Sequence, residues 1–396
     1  MAKILLVLDI SFDKGGPSVH LMKDVIAAGV RKGHKIDVIL KQLSDSYDHS
    51  EYESQFGDNV RFFRIAEPDE KQFGFVRRYL NEIRYAKKCS DIFFRQGHYD
   101  AVFLQSNTVT YFYMRLIKKL RSRIVYNVQD IFPYNLKFSR QLPYEAISFP
   151  IMRKLQSMGY GISDKIITIS DDMKQLLIDD GVKAEKIEVV YNWSYGDDKI
   201  ELEKIPENRI FDLKADGDKF KVVYAGNIGK MQNVELIVDT ARRMAGDPTV
   251  HFYIIGEGAN KQKLIEMAEG LPNVSFLPMQ PSEYAESIYA QADLNVIPLR
   301  EDIVKTALPS KTATILRVDK PIVFCVGNKS KLADLFKDVD YVCFSSSTDT
   351  AELEQIIREL QKTSAVNCNR ANVIQGYFSK NNADKYIDCM LNGIDG

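Results

Sequence analysis

Two lysines in the second half of the chain stand where anion-binding groups usually do. Lys230 closes "AGNIGK" (225–230), which follows the apolar run "FKVVY", and Lys311 closes "LPSK" (308–311), which follows the apolar run "LNVIPL" (294–299). A glycine turn after a buried strand leaves backbone N–H groups bare at the start of the next element, and a neighbouring lysine adds a point charge suited to a phosphate. Gly226, Asn227, Gly229 and Lys230 are the candidate contacts of the first loop, and Pro309, Ser310 and Lys311 those of the second. Neither has the spacing of a dinucleotide fingerprint or a P-loop. A tight turn and a proline-preceded serine cap are the plain alternatives. A third turn, "GEG" (256–258) around Glu257, closes another apolar run, and Arg300 and Lys305 flank the loop that carries Lys311. Near the start, "GGPS" (15–18) brings Gly15 and Gly16 after the first apolar run.

The first half offers amides and a carboxylate. "NVQDIFP" (127–133) puts Asn127, Gln129 and Asp130 at the end of an apolar stretch, and "SNT" (106–108) puts Asn107 at the end of another. Such groups suit a hydroxyl-rich ligand, although Asp130 could equally cap a helix or turn. His20, in "GGPSVH", belongs to no metal-ligand spacing. With five cysteines, no C-x-x-C pair and no Cys/His cluster, neither a metal nor a bound cofactor is expected. Asp171 and Asp172 in "TISDDMKQLL" read as the acidic first turn of a helix capped by Ser170.

The elements that must position these groups repeat twice. "KILLVLDI" (3–10), a glycine turn, a helical stretch and "KIDVILKQL" (35–43) form a β-α-β opening; "AVFLQS", "RIVYNVQD", "KIITIS" and "KIEVVYN" continue it. From 194 to 219 periodicity is lost, as in a linker, and then "FKVVYAG", "VHFYIIGEG", "VSFLPM", "LNVIPL" and "PIVFCV" restart the pattern. Strands alternating with helices imply parallel sheets covered on both faces. The expectation is an α/β protein of two Rossmann-like domains, 1–208 and 209–372, facing an interdomain cleft. An amphipathic terminal helix within 373–396 returns to the first. Ligands of such sheets bind at the carboxyl ends of the strands.

Composition excludes several classes. The chain has 396 residues, 45% hydrophobic and 27% charged, and a formal net charge of -1, which argues against disorder and against a dedicated nucleic-acid binder. The start "MAKILLVLDI" carries Asp9 where a secretory signal stays apolar, and no apolar run approaches the roughly 20 residues that cross a bilayer. A cytoplasmic protein is expected. Charge is nevertheless uneven: twelve Lys/Arg against three acidic residues lie between Lys71 and Arg123. A solvated helix face is the bland reading of that block. An anionic membrane surface is the functional one.

Taken in order, "GGPSVH", "ITISDDMKQLL", "GVKAEKIEVVYNW", "YAGNIGKMQNVE", "IIGEG", "YAQADLNVIPL" and "LPSKTATIL…DKPIV" resemble glycosyltransferase family 4, retaining sugar-transfer enzymes of the GT-B fold. The likeness spans nearly the whole chain and is greatest to the branch that builds bacterial capsule, O-antigen or exopolysaccharide. It implies a nucleotide-sugar donor, expected to be UDP-linked, over "GNIGK" and "PSK", with Lys230 and Lys311 bearing the charge of the leaving diphosphate. Gly15, Gly16, Gly226, Asn227, Gly229, Glu257, Pro309 and Ser310 would line the donor, while His20, Asn107, Asn127, Gln129 and Asp130 would line the acceptor, Asp130 orienting it. The Arg and Lys that many members carry in the glycine turn fall on Asn227 and Gln232, their paired glutamates, which contact the donor sugar, on Thr306 and Thr314, and their small glycine turn on Asp319, so that Thr306 and Thr314 join the donor side.

The function implied is transfer of a hexosyl or N-acetylhexosaminyl group to a growing, lipid-linked surface polysaccharide by a peripheral enzyme of the inner membrane face. Two alternatives stand beside it: a catalytically silent nucleotide-sugar-binding or scaffolding subunit, which the two threonines suggest, and a GT-B nucleotide-sugar epimerase, which would have no need of a membrane-facing basic block.

Overall fold

The computed structural model describes residues 1–396 apart from 14–16, 44–49, 69–74, 107–113, 116, 119–120, 139–144, 197, 214–218, 364–367 and 394–396. Its contacts divide into two units, Met1–Trp193 with Lys380–Gly396, and Ser194–Ser379.

The first unit holds strands β1 (Lys3–Ser11), β2 (Lys35–Gln42), β3 (Val60–Ala66), β4 (Ala101–Gln105), β5 (Arg123–Val128), β6 (Lys165–Thr168) and β7 (Ile187–Val189). They form one parallel sheet ordered β3-β2-β1-β4-β5-β6-β7. The second holds β8 (Phe220–Ala225), β9 (Val250–Ile255), β10 (Val274–Leu277), β11 (Leu294–Pro298), β12 (Ile322–Cys325) and β13 (Val342–Ser345), ordered β10-β9-β8-β11-β12-β13 and again parallel. Each order reverses beside the unit's first strand, between β1 and β4 and between β8 and β11. Crevices at such reversals are where open α/β sheets take their ligands.

Central strands β4, β9, β11 and β12 are buried along their whole length, which is why their sequences read as unbroken apolar runs. The edge strands β3 and β13 are only partly covered and read poorly. "VRFFRIA" alternates cations with apolar residues, its Arg61 pairing with Asp37 of β2 at 2.6 Å. "VCFS" is short and half-exposed.

The C-terminal helix Asn382–Leu391 completes the first unit. Its Tyr386, Ile387 and Met390 are buried with Val25, Ile26 and Ala28 of helix Pro17–Arg31, and Arg31 pairs with Asp384 at 2.8 Å. Asp24 of the earlier helix accepts the Trp193 indole N–H at 2.8 Å and the Lys380 ammonium at 3.0 Å, fixing both points where the chain leaves and re-enters this unit. Residues 194–208, aperiodic in sequence, go with the second unit. Ile200 bridges Val318 there, and Arg317 donates to Ser194 Oγ at 2.9 Å and to Asp198 O at 2.7 Å. Ser170 accepts from Met173 N–H at 3.2 Å, capping helix Asp171–Asp179.

Candidate active site

The reversal of the second sheet is where the glycine loop and Lys311 gather. The β8–β11 ladder pairs Val222 with Leu294 and Val223 with Asn295 and then ends, while both strands run on, so their carboxyl ends part. The loop after β8 is zipped to the segment after β9. Gly226 N–H donates to Ile255 O (2.9 Å), Ile228 N–H to Glu257 O (2.8 Å), and Asn260 N–H to Ile228 O (3.0 Å). This approach requires glycine at 256 and 258: a Cβ on Gly256 would lie 1.9 Å from Gly226 O, and one on Gly258 2.3 Å from Ile228 O. Buried Ile228 pins the middle of the loop into the core.

Lys311 reaches the same loop. Its Nζ donates to Ala225 O at 3.0 Å, stands 3.8 Å from the centroid of the Tyr224 ring, and lies 3.2 Å from where a Cβ on Gly226 would be. No carboxylate bears on it among the described residues, and burial alone pushes the ammonium down to about 7. Tyr224 in turn donates its hydroxyl to Asn227 O at 2.5 Å.

Lys230 is exposed at the far end of the loop, and its carbonyl accepts from Arg300 Nε at 2.6 Å. Arg300 also donates its backbone N–H to Met231 O (3.1 Å) and its guanidinium to Glu235 (3.4 Å), tying the loops after β8 and β11 together. Asn227 and Gln232 face each other as a side-chain amide pair, Nδ2 to Oε1 at 3.4 Å, with Gly229 beneath them.

The remaining donor-side candidates are dispersed. Glu257 joins the loop only through its carbonyl, and its exposed carboxylate pairs with Lys261 at 2.6 Å. Pro309 O accepts from Thr312 N–H at 3.0 Å, and Ser310 is exposed. Thr306 is fully buried and gives its hydroxyl to Ile303 O at 3.0 Å. The Thr314 hydroxyl lies 3.1 Å from Ser194 Oγ, beside Arg317. Asp319 accepts the Lys199 ammonium at 2.7 Å.

In the first unit, Gln129 is the centre of an amide chain. Its Nε2 donates to Asn127 Oδ1 and to the Tyr386 hydroxyl, both at 3.1 Å, and its Oε1 accepts from Asn192 Nδ2 at 2.9 Å. Two atoms of this chain, Asn127 Nδ2 and Asn192 Oδ1, are buried without a partner among the described residues, one a donor and one an acceptor. Asp130 follows directly. It is partly buried, and burial without a counter-charge raises its carboxyl to about 6. His20 Nε2 donates to Trp193 O at 3.0 Å, and burial lowers its pKa, so it stands as a neutral imidazole fixed to the backbone. Gly15, Gly16 and Asn107 lie outside the described residues. Among the described residues no three His, Cys, Asp or Glu gather as a metal site.

Sequence reasoning passed over Tyr224, Asn192 and Tyr386. Tyr224 hides in an apolar strand and Tyr386 in a terminal helix, and nothing in their spacing marks them. Asn192 does carry a signal, a polar residue directly after the β7 run.

The family description Glycosyltransferase Family 4 matches residues 15–193, and Glycosyl transferases group 1 matches residues 219–362, so that the two together take in most of both units. The chain belongs to glycosyltransferase family 4. Within the family's wider relations it is 28% identical over 186 residues to the colanic acid biosynthesis glycosyl transferase WcaI of Escherichia coli K12, covering 46% of this chain and 43% of that protein. It is 23% identical over 273 residues to the glycosyltransferase WbjE of Pseudomonas aeruginosa, covering 66% of each. The chain thus spans about half to two-thirds of the length of these relatives. The crystal structure of Anabaena Alr3699/HepE in complex with UDP and glucose superposes with a TM-score of 0.66 at 17% identity, covering 98% of both chains. Two parallel Rossmann-like sheets of seven and six strands are the GT-B fold.

Proposed function

We propose that this family 4 chain is a retaining glycosyltransferase that moves a hexosyl or N-acetylhexosaminyl group from a UDP-linked donor to a lipid-linked precursor of a bacterial surface polysaccharide. The observation that carries the donor side is Lys311. It is a half-buried lysine whose amine has no carboxylate partner among the described residues and is held against the bare backbone of Gly226 at the sheet reversal. A diphosphate supplies the counter-charge this arrangement lacks. In the reaction the bond from the anomeric carbon to the diphosphate oxygen breaks, and one to an acceptor oxygen forms on the same face. The acceptor's proton leaves with the departing diphosphate. Lys230 and Lys311 bear the charge that develops there, as donors of an oxyanion hole do. On the acceptor side, the amide chain of Asn127, Gln129 and Asn192 lies behind the site, and Asp130 orients the attacking hydroxyl.

Lys230→Ala and Lys311→Ala are each expected to weaken UDP about tenfold to a hundredfold while leaving uridine within about twofold, since a charge-assisted bond contributes about 1.5–3 kcal/mol. Titration calorimetry with both ligands measures this, and equal losses for UDP and uridine overturn the phosphate assignment. The silent-subunit reading draws on Thr306 and Thr314, whose hydroxyls are engaged elsewhere. Labelled-sugar transfer from a UDP-sugar panel into a lipid extract separates it from the transferase.

The lipid-linked acceptor draws support from helix Phe75–Gln96. Tyr85, Cys89 and Phe93 are buried, and the outer face exposes Arg77, Arg84, Lys87 and Arg95 together with Leu80 (48%), Ile83 (42%) and Phe94 (48%). Among the described residues no helix is long and apolar enough to cross a membrane. A basic face that also exposes apolar residues fits an anionic leaflet, where each cation contributes about 1 kcal/mol. Arg77, Arg84, Lys87 and Arg95 changed together to Gln should reduce co-sedimentation with phosphatidylglycerol vesicles at least about tenfold at low salt. Equal binding of both proteins, or of neither, defeats the membrane claim.

A further inference from the structure

No acidic group among the described residues holds the Lys311 amine in place. What holds it there is β8. The Tyr224 ring lies under the amine at 3.8 Å, Ala225 O accepts from it at 3.0 Å, and the hydroxyl of the same tyrosine reaches forward to Asn227 O at 2.5 Å. One buried side chain therefore touches both halves of the proposed anion site, the cation and the glycine loop. It is 1% exposed, and burial, with Tyr289 as the titratable neighbour, pushes its phenol pKa up, so the phenol stays neutral and donates. We propose that Tyr224 is the positioning residue for a nucleoside diphosphate at this loop, its ring setting where the Lys311 ammonium stands and its hydroxyl setting the course of residues 226–229. The proposal rests on the reading of Lys311 as a phosphate ligand and adds what controls it.

From β8 Tyr224 faces the Lys311 amine, and beyond it stands Tyr289. Neither a carboxylate nor a second cation bears on the amine among the described residues. With burial the only influence, the amine gives up its proton near neutrality when the loop is empty. A diphosphate restores the counter-charge, so binding above that point takes up a proton. The aromatic face favours the ammonium over the amine, an attraction that strengthens where water is excluded. Affinity for UDP should thus fall with rising pH between about 6.5 and 8.5, by up to about tenfold per unit, as a single coupled proton requires.

The experiment is calorimetric titration of UDP and uridine into the full chain across that range, in two buffers of different ionisation enthalpy. It compares wild type, Tyr224→Phe, Tyr224→Leu and Lys311→Ala. Wild type should bind UDP with uptake approaching one proton at pH about 8 and little at pH about 6. Tyr224→Phe keeps the ring and loses the tie to Asn227. It should lose about fivefold in UDP affinity, keep the wild-type pH course, and leave uridine unchanged. Tyr224→Leu removes the ring, and should lose at least about tenfold and change the pH course as well. A Tyr224→Leu protein that melts like wild type and keeps both affinity and pH course overturns the proposal while the phosphate reading stands. If Tyr224→Leu does not fold, Tyr224→Phe decides, and an unchanged ratio of UDP to uridine affinity overturns it. Lys311→Ala with undiminished UDP binding overturns the underlying reading and this proposal with it.

Discussion

Gly256→Ala is expected to destabilise the second unit by about 3–5 kcal/mol and to abolish measurable UDP binding in whatever protein remains folded. Two costs add. Gly256 sits at φ +156°, where an L side chain is strained, and its Cβ would be driven to 1.9 Å from Gly226 O. The obstacle is backbone, so no rotamer change relieves it. The loop must instead move away from β9, breaking the bonds from Gly226 N–H to Ile255 O and from Ile228 N–H to Glu257 O. Those bonds set the position of the backbone that faces Lys311. Gly270→Ala is the matched control: it has φ +79° and nothing within 4 Å of its Cβ, so it carries backbone strain alone, about 1–2 kcal/mol. Thermal melts of the two variants measure the difference. Equal melting temperatures would show that the loop yields without cost and that the zip does not position the site.

The same loop shows what could be learned without coordinates. A strand, glycines and a lysine in "KVVYAGNIGK" were legible because buried parallel strands are written as apolar runs and because turns that admit a ligand need glycine. Two doubly wound units could be read for the same reason. The edge strands β3 and β13 could not. A strand covered on one side only mixes polar and apolar residues, and Arg61 in β3 is there to pair with Asp37. Site chemistry was legible by residue type and not by partner. Lys311 announces a cation, but its platform Tyr224 is 87 residues distant in sequence and looks like any core tyrosine. Gln129 announces an amide, yet its partners Asn192 and Tyr386 come from a strand end and a terminal helix. Thr306 and Thr314, placed near a donor sugar by counting along the chain, have their hydroxyls turned to Ile303 O and to Ser194. Counting could not foresee the local turn that closes on Thr306, or the approach of residue 194 to the helix that carries Thr314.

Asp130→Asn is expected to raise stability and lower turnover together, and the opposition of the two is what makes the result informative. The carboxyl is held at about 6 by burial, above the usual value of about 3.9, with no cation paired to it. The sign follows. A raised acid pKa means that the folded state binds the proton more tightly than the unfolded chain, so ionisation opposes folding. The penalty is absent below about pH 4, grows between about 4 and 6, and is complete above. A rise of that size would correspond to about 3 kcal/mol, and partial solvent access reduces this to about 1–2 kcal/mol. Asparagine keeps the shape, cannot ionise, and should recover that amount at pH about 7.5 and none at pH about 4. A carboxylate kept at such a cost has a use, and the one proposed is to receive and orient the acceptor hydroxyl. An amide in its place should lower acceptor-dependent sugar transfer by about a hundredfold or more while leaving UDP affinity unchanged. Urea unfolding at the two pH values gives the first half, and labelled-sugar transfer with UDP titration gives the second. An Asn variant less stable than wild type at pH about 7.5 would mean that the carboxylate is a satisfied structural group, a helix or turn cap of the ordinary kind. A more stable variant with full transfer activity would remove Asp130 from the acceptor site and leave its burial without a purpose.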